Sequence, residues 1–376
     1  MYRLICVVGA RPNFMKIAPI IDALKSETDI QVTLVHTGQH YDDNMKQQFF
    51  VQLGIPEPDI DLGVGSGTHS IQTAQIMMHF EPVLEKYSAQ AVLVVGDVNS
   101  TIACALVAVK NHIPVIHVEA GLRSGDRQMP EEINRILTDQ LSDLLYTTER
   151  NAESNLNREG IPSNRIRFVG NVMIDTLKKH VTKAAPVAET LSGFANAEAL
   201  AKIEAGYALL TMHRPSNVDD KETLTRLLDT LSQISKRLPI IFPLHPRTAE
   251  KIKEFGLQNK IDEADITVLP PQGYMQILGL MANAKLVLTD SGGIQEETTA
   301  LGVPCVTLRE NTERPITVDQ GTNTIVGSDP VAILAAVEDV ISNGGKHGRQ
   351  PELWDGQAAV RIARDLSSWF DQQPQT

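Results

Sequence analysis

The sequence of 376 residues predicts an α/β protein made of two doubly wound, Rossmann-like domains. Three observations predict this. Short runs rich in Val, Ile and Leu alternate with amphipathic segments, the pattern of parallel strands covered on both faces by crossover helices. The alternation stops between about residues 183 and 207, where Ala, Glu and Lys dominate, and then starts again. The chain is also longer than one hydrophobic core usually serves.

The first series places strands at 3–9 (RLICVVG), 31–37 (QVTLVHT), 91–96 (AVLVVG), 114–119 (PVIHVE), 143–148 (DLLYTT) and 166–171 (IRFVGN). Helical patterns lie between them at 14–25, 43–53, 70–86, 100–111 and 130–142. The second series has strands at 207–212 (YALLTM), 239–244 (PIIFPL), 266–270 (ITVLP), 285–290 (KLVLTD), 304–308 (PCVTL) and 323–327 (NTIVG). Its helical patterns fall at 221–236, 273–283, 293–301 and 330–341. The expected domains are 1–171 and 172–357, and a last helix over about 358–371 could pack on either.

A formal net charge of −12 argues against nucleic acid and anionic membranes as partners. Cys6, Cys104 and Cys305 are far apart among apolar residues, as expected of buried, reduced thiols. The chain enters a strand within two or three residues, which leaves no room for a signal peptide, and no apolar run is long enough for a membrane helix. The expected location is the cytoplasm.

Polar clusters follow directly on the apolar strands. Ala10-Arg11-Pro12 and Gly38-Gln39-His40 follow the first two, Gly96-Asp97 the third, and the fourth ends on Glu119. In the second series the followers are His213-Arg214, His245-Pro246-Arg247 and Ser291-Gly292-Gly293. Ligands of open parallel sheets bind beyond the carboxyl ends of the strands. Two such sheets facing one another would gather these residues around an interdomain cleft.

Several of these residues admit two readings. Arg11 and Lys16 put positive charge near a helix N-terminus, which suits a bound anion or plain solvent. Asp97 in GDVNST serves as well for an N-cap as for acid/base chemistry. Glu119 ends a strand of buried type, where a carboxylate is costly unless paired or functional; a structural partner would be Arg123. Glu131 opens a helix behind Pro130 and is spaced for a pair with Arg135, which is ordinary helix-start chemistry.

The stretch LTDSGGIQEE (288–297) is more telling. Ser291, Gly292 and Gly293 at a helix start offer hydrogen-bond donors to a phosphate. A carboxylate further along the helix can accept from two vicinal hydroxyls, as ribose presents them. An anion site followed by a diol site describes a nucleotide. Neither GxGxxG nor a Walker sequence is present, so dinucleotide oxidoreduction and P-loop phosphoryl transfer lose support.

With these residues the chain resembles the non-hydrolysing UDP-N-acetylglucosamine 2-epimerases. The resemblance is carried by GARPNFMKIAP (9–19), TGQH (37–40), GDVNST (96–101), HVEAGLRSGDRQMPEEINR (117–135), HRPSN (213–217), LTDSGGIQEE, GVPCVTLRENTERP (302–315) and Gly321. It implies the two-domain GT-B fold, a homodimer, and a last helix that returns to the N-terminal domain and adds about 358–376 to it. It implies catalytic roles for Asp97, Glu119, Glu131 and His213. Arg11 and Lys16 would face the diphosphate and the catalytic site, and Ser291, Gly292 and Gly293 would form the diphosphate loop. Glu297 would be the ribose acceptor, with His245 and Arg314 near the nucleotide. The implied reaction is the interconversion of UDP-N-acetylglucosamine and UDP-N-acetylmannosamine for cell-surface polysaccharide precursors. It would proceed by anti-elimination and re-addition of UDP through 2-acetamidoglucal, with no cofactor and no metal.

Two segments depart from many bacterial members. The loop DRQMPEE is two residues shorter, and HRPSNVDD replaces a His-Arg-Arg-Glu type sequence. Related enzymes with the short loop act on other UDP-2-acetamido sugars, including diacetamido uronic acids. A hydrolysing epimerase, a GT-B glycosyltransferase and a silent UDP-sugar-binding protein are the other readings.

Overall fold

The apolar runs form two separate parallel sheets. The computed structural model describes residues 2–38, 54 and 56–373, with Arg11 described by its backbone alone. The helix expected over 43–53, Gln39, His40 and the Arg11 side chain lie outside the described residues. In chain order the strands are β1 (Arg3–Val8), β2 (Gln31–His36), β3 (Ile60–Asp61), β4 (Ala91–Val95), β5 (Val115–Ala120), β6 (Leu144–Thr147) and β7 (Ile166–Phe168) in the first sheet. The second contains β8 (Ala208–Thr211), β9 (Ile240–Pro243), β10 (Ile266–Leu269), β11 (Leu286–Thr289), β12 (Cys305–Thr307) and β13 (Asn323–Ile325).

The spatial orders are β3-β2-β1-β4-β5-β6-β7 and β10-β9-β8-β11-β12-β13, so the strand order reverses once in each sheet. The reversal falls between β1 and β4 in the first and between β8 and β11 in the second. A doubly wound sheet leaves a crevice at the carboxyl ends of these strands. The central strands are largely apolar, and every residue of β4 and of β11 is buried.

Two compact units result, Met1–Lys179 with Glu352–Thr376, and His180–Pro351. These boundaries differ from the expected breaks after 171 and 357. The helix Val172–His180 belongs largely to the first unit because Thr176 Oγ1 donates to the Met15 carbonyl at 2.6 Å. The returning chain docks there too: Trp354 is fully buried and its Nε1–H donates to the Thr148 carbonyl at 3.1 Å. The last helix, Ala358–Asp371, packs against the first, Arg11–Glu27. Asp175 accepts the backbone N–H groups of Ala358 and Ala359 at 3.2 and 2.7 Å, and Phe370 stacks on Tyr2 with ring centroids 4.8 Å apart.

The first helix starts at Arg11, three residues earlier than its apolar pattern suggests. Asn13 explains this. Its Oδ1 accepts from Ala10 N at 2.9 Å, and its Nδ2 donates to the Val95 carbonyl at 3.0 Å. One side chain therefore starts the helix and ties the ends of β1 and β4 together.

Candidate active site

In the first unit the polar groups converge at the ends of β1, β4 and β5. Glu119 stands at a register shift between β5 and β6 and has a φ of +73°. A bulge re-aims a side chain, and a positive φ at a residue with a Cβ is a strained conformation of the kind found at functional sites. The re-aimed carboxylate forms a buried ion pair with Lys16. Gly96 is required beside them: its φ is +68°, and a Cβ there would lie 3.0 Å from Lys16 Nζ. The structural partner suggested for Glu119, Arg123, instead pairs with Asp139 at 2.7 Å and with Glu159.

Asp97 follows Gly96 and is half-buried. Arg135 reaches it from the helix Pro130–Leu141, donating from Nε at 3.2 Å and from Nη2 to the same oxygen. Glu131, in the first turn of that helix, is half-buried, while the neighbouring Glu132 is buried. Glu132 accepts from Ser124 N and Gly125 N, both at 2.9 Å, and pairs with Arg135. It thus holds the short loop against the cation that faces Asp97. Only its i,i+3 spacing from Arg135 could have revealed it in the sequence.

A second pair behind these groups was also not singled out from the sequence. His117, buried in β5, has Nδ1 2.6 Å from Asp139 and Nε2 2.8 Å from the Gly96 carbonyl. Both ring nitrogens thus face oxygen acceptors, one a side chain and one the backbone. Burial pushes the Asp139 carboxyl up, but His117 and Arg123 outweigh it and hold the group below the usual carboxylate range. A His inside an apolar strand was the available signal.

In the second unit the site sits at the ends of β8, β9 and β11. Asp290, fully buried after β11, accepts the backbone N–H groups of His213 and Arg214 at 2.9 and 2.8 Å. These bonds hold the His213-Arg214-Pro215 turn against the start of the helix Gly292–Leu301, whose N-cap is Ser291. The His213 ring stands 5.1 Å from that of His245, centroid to centroid. His245 Nδ1 accepts Arg247 N at 3.2 Å as the cap of the helix Pro246–Phe255. A Cβ on Gly292 would meet Glu313 Oε1, so a larger residue here requires the Glu313 side chain to shift. Gly293 continues the same turn with a first-turn N–H group that no helical carbonyl can satisfy.

Further along the helix, adjacent carboxylates go separate ways, as residues about 100° apart must. Glu296 pairs with buried Arg314, Nε to Oε1 at 2.9 Å. Glu297 accepts the Tyr274 hydroxyl at 2.9 Å. Burial pushes the Glu297 carboxyl up to about 7; Tyr274 opposes this and Glu296 adds to it. Tyr274 came to light only in the structure, because its hydroxyl meets the carboxylate across 23 residues. Among the described residues no group of three or more His, Cys, Asp and Glu could hold a metal ion, and no helix is long and apolar enough to cross a membrane.

Two Rossmann-like units, one with a phosphate-type helix start and a buried carboxylate on the same helix, the other with carboxylates matched to cations, define a GT-B-type enzyme of nucleotide sugars. Residues 22–367 match the sequence model of the family described as UDP-N-acetylglucosamine 2-epimerase, and the chain belongs to that family of isomerases. It is 44% identical over 356 residues to a UDP-N-acetylglucosamine 2-epimerase of Methanococcus maripaludis, covering 93% of this chain and 94% of the relative. It is 39% identical over 376 residues to a UDP-2,3-diacetamido-2,3-dideoxy-D-glucuronate 2-epimerase of Pseudomonas aeruginosa, covering 97% and 99%. The crystal structure of the Methanocaldococcus jannaschii UDP-GlcNAc 2-epimerase in complex with UDP-GlcNAc and UDP superposes with a TM-score of 0.86. Its sequence is 42% identical, with 97% of this chain and 99% of that one covered.

Proposed function

We propose that the protein interconverts UDP-N-acetylglucosamine and UDP-N-acetylmannosamine by eliminating and re-adding UDP. The observation that carries this is the pairing of Glu119 with Lys16 and of Asp97 with Arg135 beside one another at the ends of β5 and β4. C2 of the sugar has no adjacent carbonyl to acidify its hydrogen, so direct deprotonation is poor chemistry. In the elimination the C1–O bond breaks and its electron pair leaves with the β-phosphate of UDP. A carboxylate takes the C2 proton, and the C2–H electrons form the C1–C2 double bond of 2-acetamidoglucal. A proton then returns to C2 from the other face while the UDP oxygen re-forms its bond to C1. Atoms and electrons balance without an oxidant.

This chemistry needs two acid/base groups, one for each face, and donors for the departing charge. Asp97, Glu119 and Glu131 supply the first. Lys16 and the Ser291–Gly293 turn supply the second, with Arg11 on the same side by resemblance, and His213 serves as a further acid/base group through its ring. Glu297 receives the ribose hydroxyls, and His245 and Arg314 flank the nucleotide. The work of such an enzyme in the cytoplasm, on precursors of cell-surface polysaccharide, completes the reading; the three free, buried cysteines accord with a reducing compartment.

A second substrate has support of its own. The short loop tied down by Glu132, and the 39% identity to a diacetamido-glucuronate 2-epimerase, favour testing that sugar as well. Incubation of the protein with each UDP-sugar in D2O, followed by NMR, tests the proposal. The expected result is the 2-epimer with deuterium at C2 only, in product and recovered substrate alike. A free sugar in place of a UDP-sugar indicates hydrolysis. Bound nicotinamide together with protium retained at C2 over many turnovers removes the elimination.

We also propose a homodimer. Ile71 and Met78 on the helix His69–Tyr87, and Ile133 and Leu137 on Pro130–Leu141, are exposed large apolar residues, and both helices flank Asn99–Lys110. Such a face is usually covered in solution. Sedimentation should report twice the chain mass of 41.2 kDa, and a single-chain mass at micromolar concentration would remove the proposal.

A further inference from the structure

The His213 ring has a specific relation to a carboxylate that no role above uses. Asp290 is fully buried, and its two oxygens have different tasks. Oδ2 accepts from His213 N, Arg214 N and, at 3.1 Å, Asn217 Nδ2, so its capacity is filled. Oδ1 makes no well-aligned hydrogen bond, yet it lies 3.1 Å from His213 Nδ1. A buried carboxylate oxygen left without a donor is costly, so the imidazole Nδ1 is the group that compensates it. Catalytic hydrogen bonds are often poorly aligned in a ligand-free site and tighten when the ligand binds. Asn217 Nδ2 also donates to the Leu308 carbonyl at 2.9 Å, which fixes the far side of Asp290 and leaves the carboxylate no freedom to turn away.

We propose that Asp290 is a positioning residue for His213: it holds the ring hydrogen on Nδ1 and turns Nε2 to the ligand. The assignment rests on the reading of His213 as a group that acts on the substrate. The neighbouring ring works in the opposite sense. His245 Nδ1 accepts a backbone N–H, so its hydrogen sits on Nε2, and it cannot replace His213 in this tautomer. Charge supports the same arrangement, because His213 and the two backbone N–H groups hold the Asp290 carboxyl below the usual range in spite of its burial.

Asp290→Asn tests this. The amide oxygen can still accept the two backbone N–H groups, which preserves the turn. Its NH2 then faces Nδ1 and forces the hydrogen to Nε2. The expected result is a loss in kcat of about 100-fold or more with KM changed only a few-fold. Nitrogen-15 spectra of the full-length enzyme with UDP should show His213 protonated on Nδ1 in the wild type and on Nε2 in the variant. In a His213→Asn background the same substitution should cost less than about five-fold, since residues acting as a unit are not additive. A purely structural role would give the same loss in both backgrounds. Near-wild-type kcat for Asp290→Asn, additive losses, or wild-type His213 with its hydrogen on Nε2 overturns the proposal. That last measurement decides the matter even if the variant does not fold. If His213→Asn keeps full turnover, the reading of His213 fails, whereas the tautomer result still judges Asp290.

Discussion

Glu119→Gln should lower turnover by at least about 100-fold, and by as much as about 10,000-fold, the range over which loss of a positioned acid/base group is felt. UDP should still bind, because the groups proposed to hold its ribose and uridine, Glu297, His245 and Arg314, lie in the other unit. The substitution is nearly isosteric and leaves the bulge backbone at Glu119 unaltered, but it is not neutral for the fold. It leaves the Lys16 ammonium buried without its counter-charge, and breaking a buried pair from one side costs about 3–5 kcal/mol. Lys16→Met with Glu119→Gln removes both charges and should recover most of that stability while turnover stays low. Recovery of turnover along with stability would mean that Glu119 is only a structural anion. Asp97→Asn should match the loss of turnover with less damage to stability, because Arg135 keeps Glu132 as a partner. Glu131→Gln is the most open of the three: near-wild-type turnover would mark it as a helix-start acid and nothing more.

The long, wholly apolar strands were legible in the sequence because burial on both faces leaves one kind of residue in them. The strand β3 was not, since two residues carry no pattern; it is held in place by the Leu34 N–H on Asp59 and by the His36–Asp61 pair. The helix Pro246–Phe255 escaped notice because only Thr248 and Ile252 of its ten residues are buried. In the site, residues that end strands stood out: Asp97, Glu119, His213 and the Ser291–Gly293 turn. Their supports did not. Asp290 lies inside LTDSGGIQEE, yet its partner is 77 residues away in the chain, and His117 is 22 residues from Asp139. Sequence spacing reveals partners on one helix or in one turn. It is silent about pairs that form only when crossover connections bring separate strand ends together.

Glu297 makes the pH dependence of nucleotide binding a test of the ribose site. In the ligand-free protein burial raises its pKa from 4.5 to about 7, with Tyr274 and Glu296 acting in opposite senses. A carboxyl whose folded pKa is raised contributes stability that is fully present below the unfolded value and is lost as pH rises through the folded one. The unliganded enzyme should therefore lose up to about 3 kcal/mol between pH 4.5 and just above 7, and Glu297→Gln should abolish that loss. In the proposed site the ribose hydroxyls donate to the carboxylate form. UDP binding should accordingly pull the pKa back down and release up to one proton near pH 6, and none near pH 8.5. Calorimetry in buffers of different ionisation enthalpy reads the proton directly. The β-phosphate of UDP itself titrates near pH 6, at about the second pKa of a phosphomonoester, so the difference between wild type and Glu297→Gln isolates the carboxyl. At pH 8 the variant should bind about 10- to 100-fold more weakly, as loss of a hydrogen bond to a charged acceptor implies. Near pH 6 the gap should narrow, because the wild type must first give up its proton. Glu296→Gln cannot stand in as a control, since it would break the buried pair with Arg314. Equal proton release and equal affinity at pH 8 in wild type and Glu297→Gln would take Glu297 out of the nucleotide site, and leave its raised pKa as a consequence of burial alone.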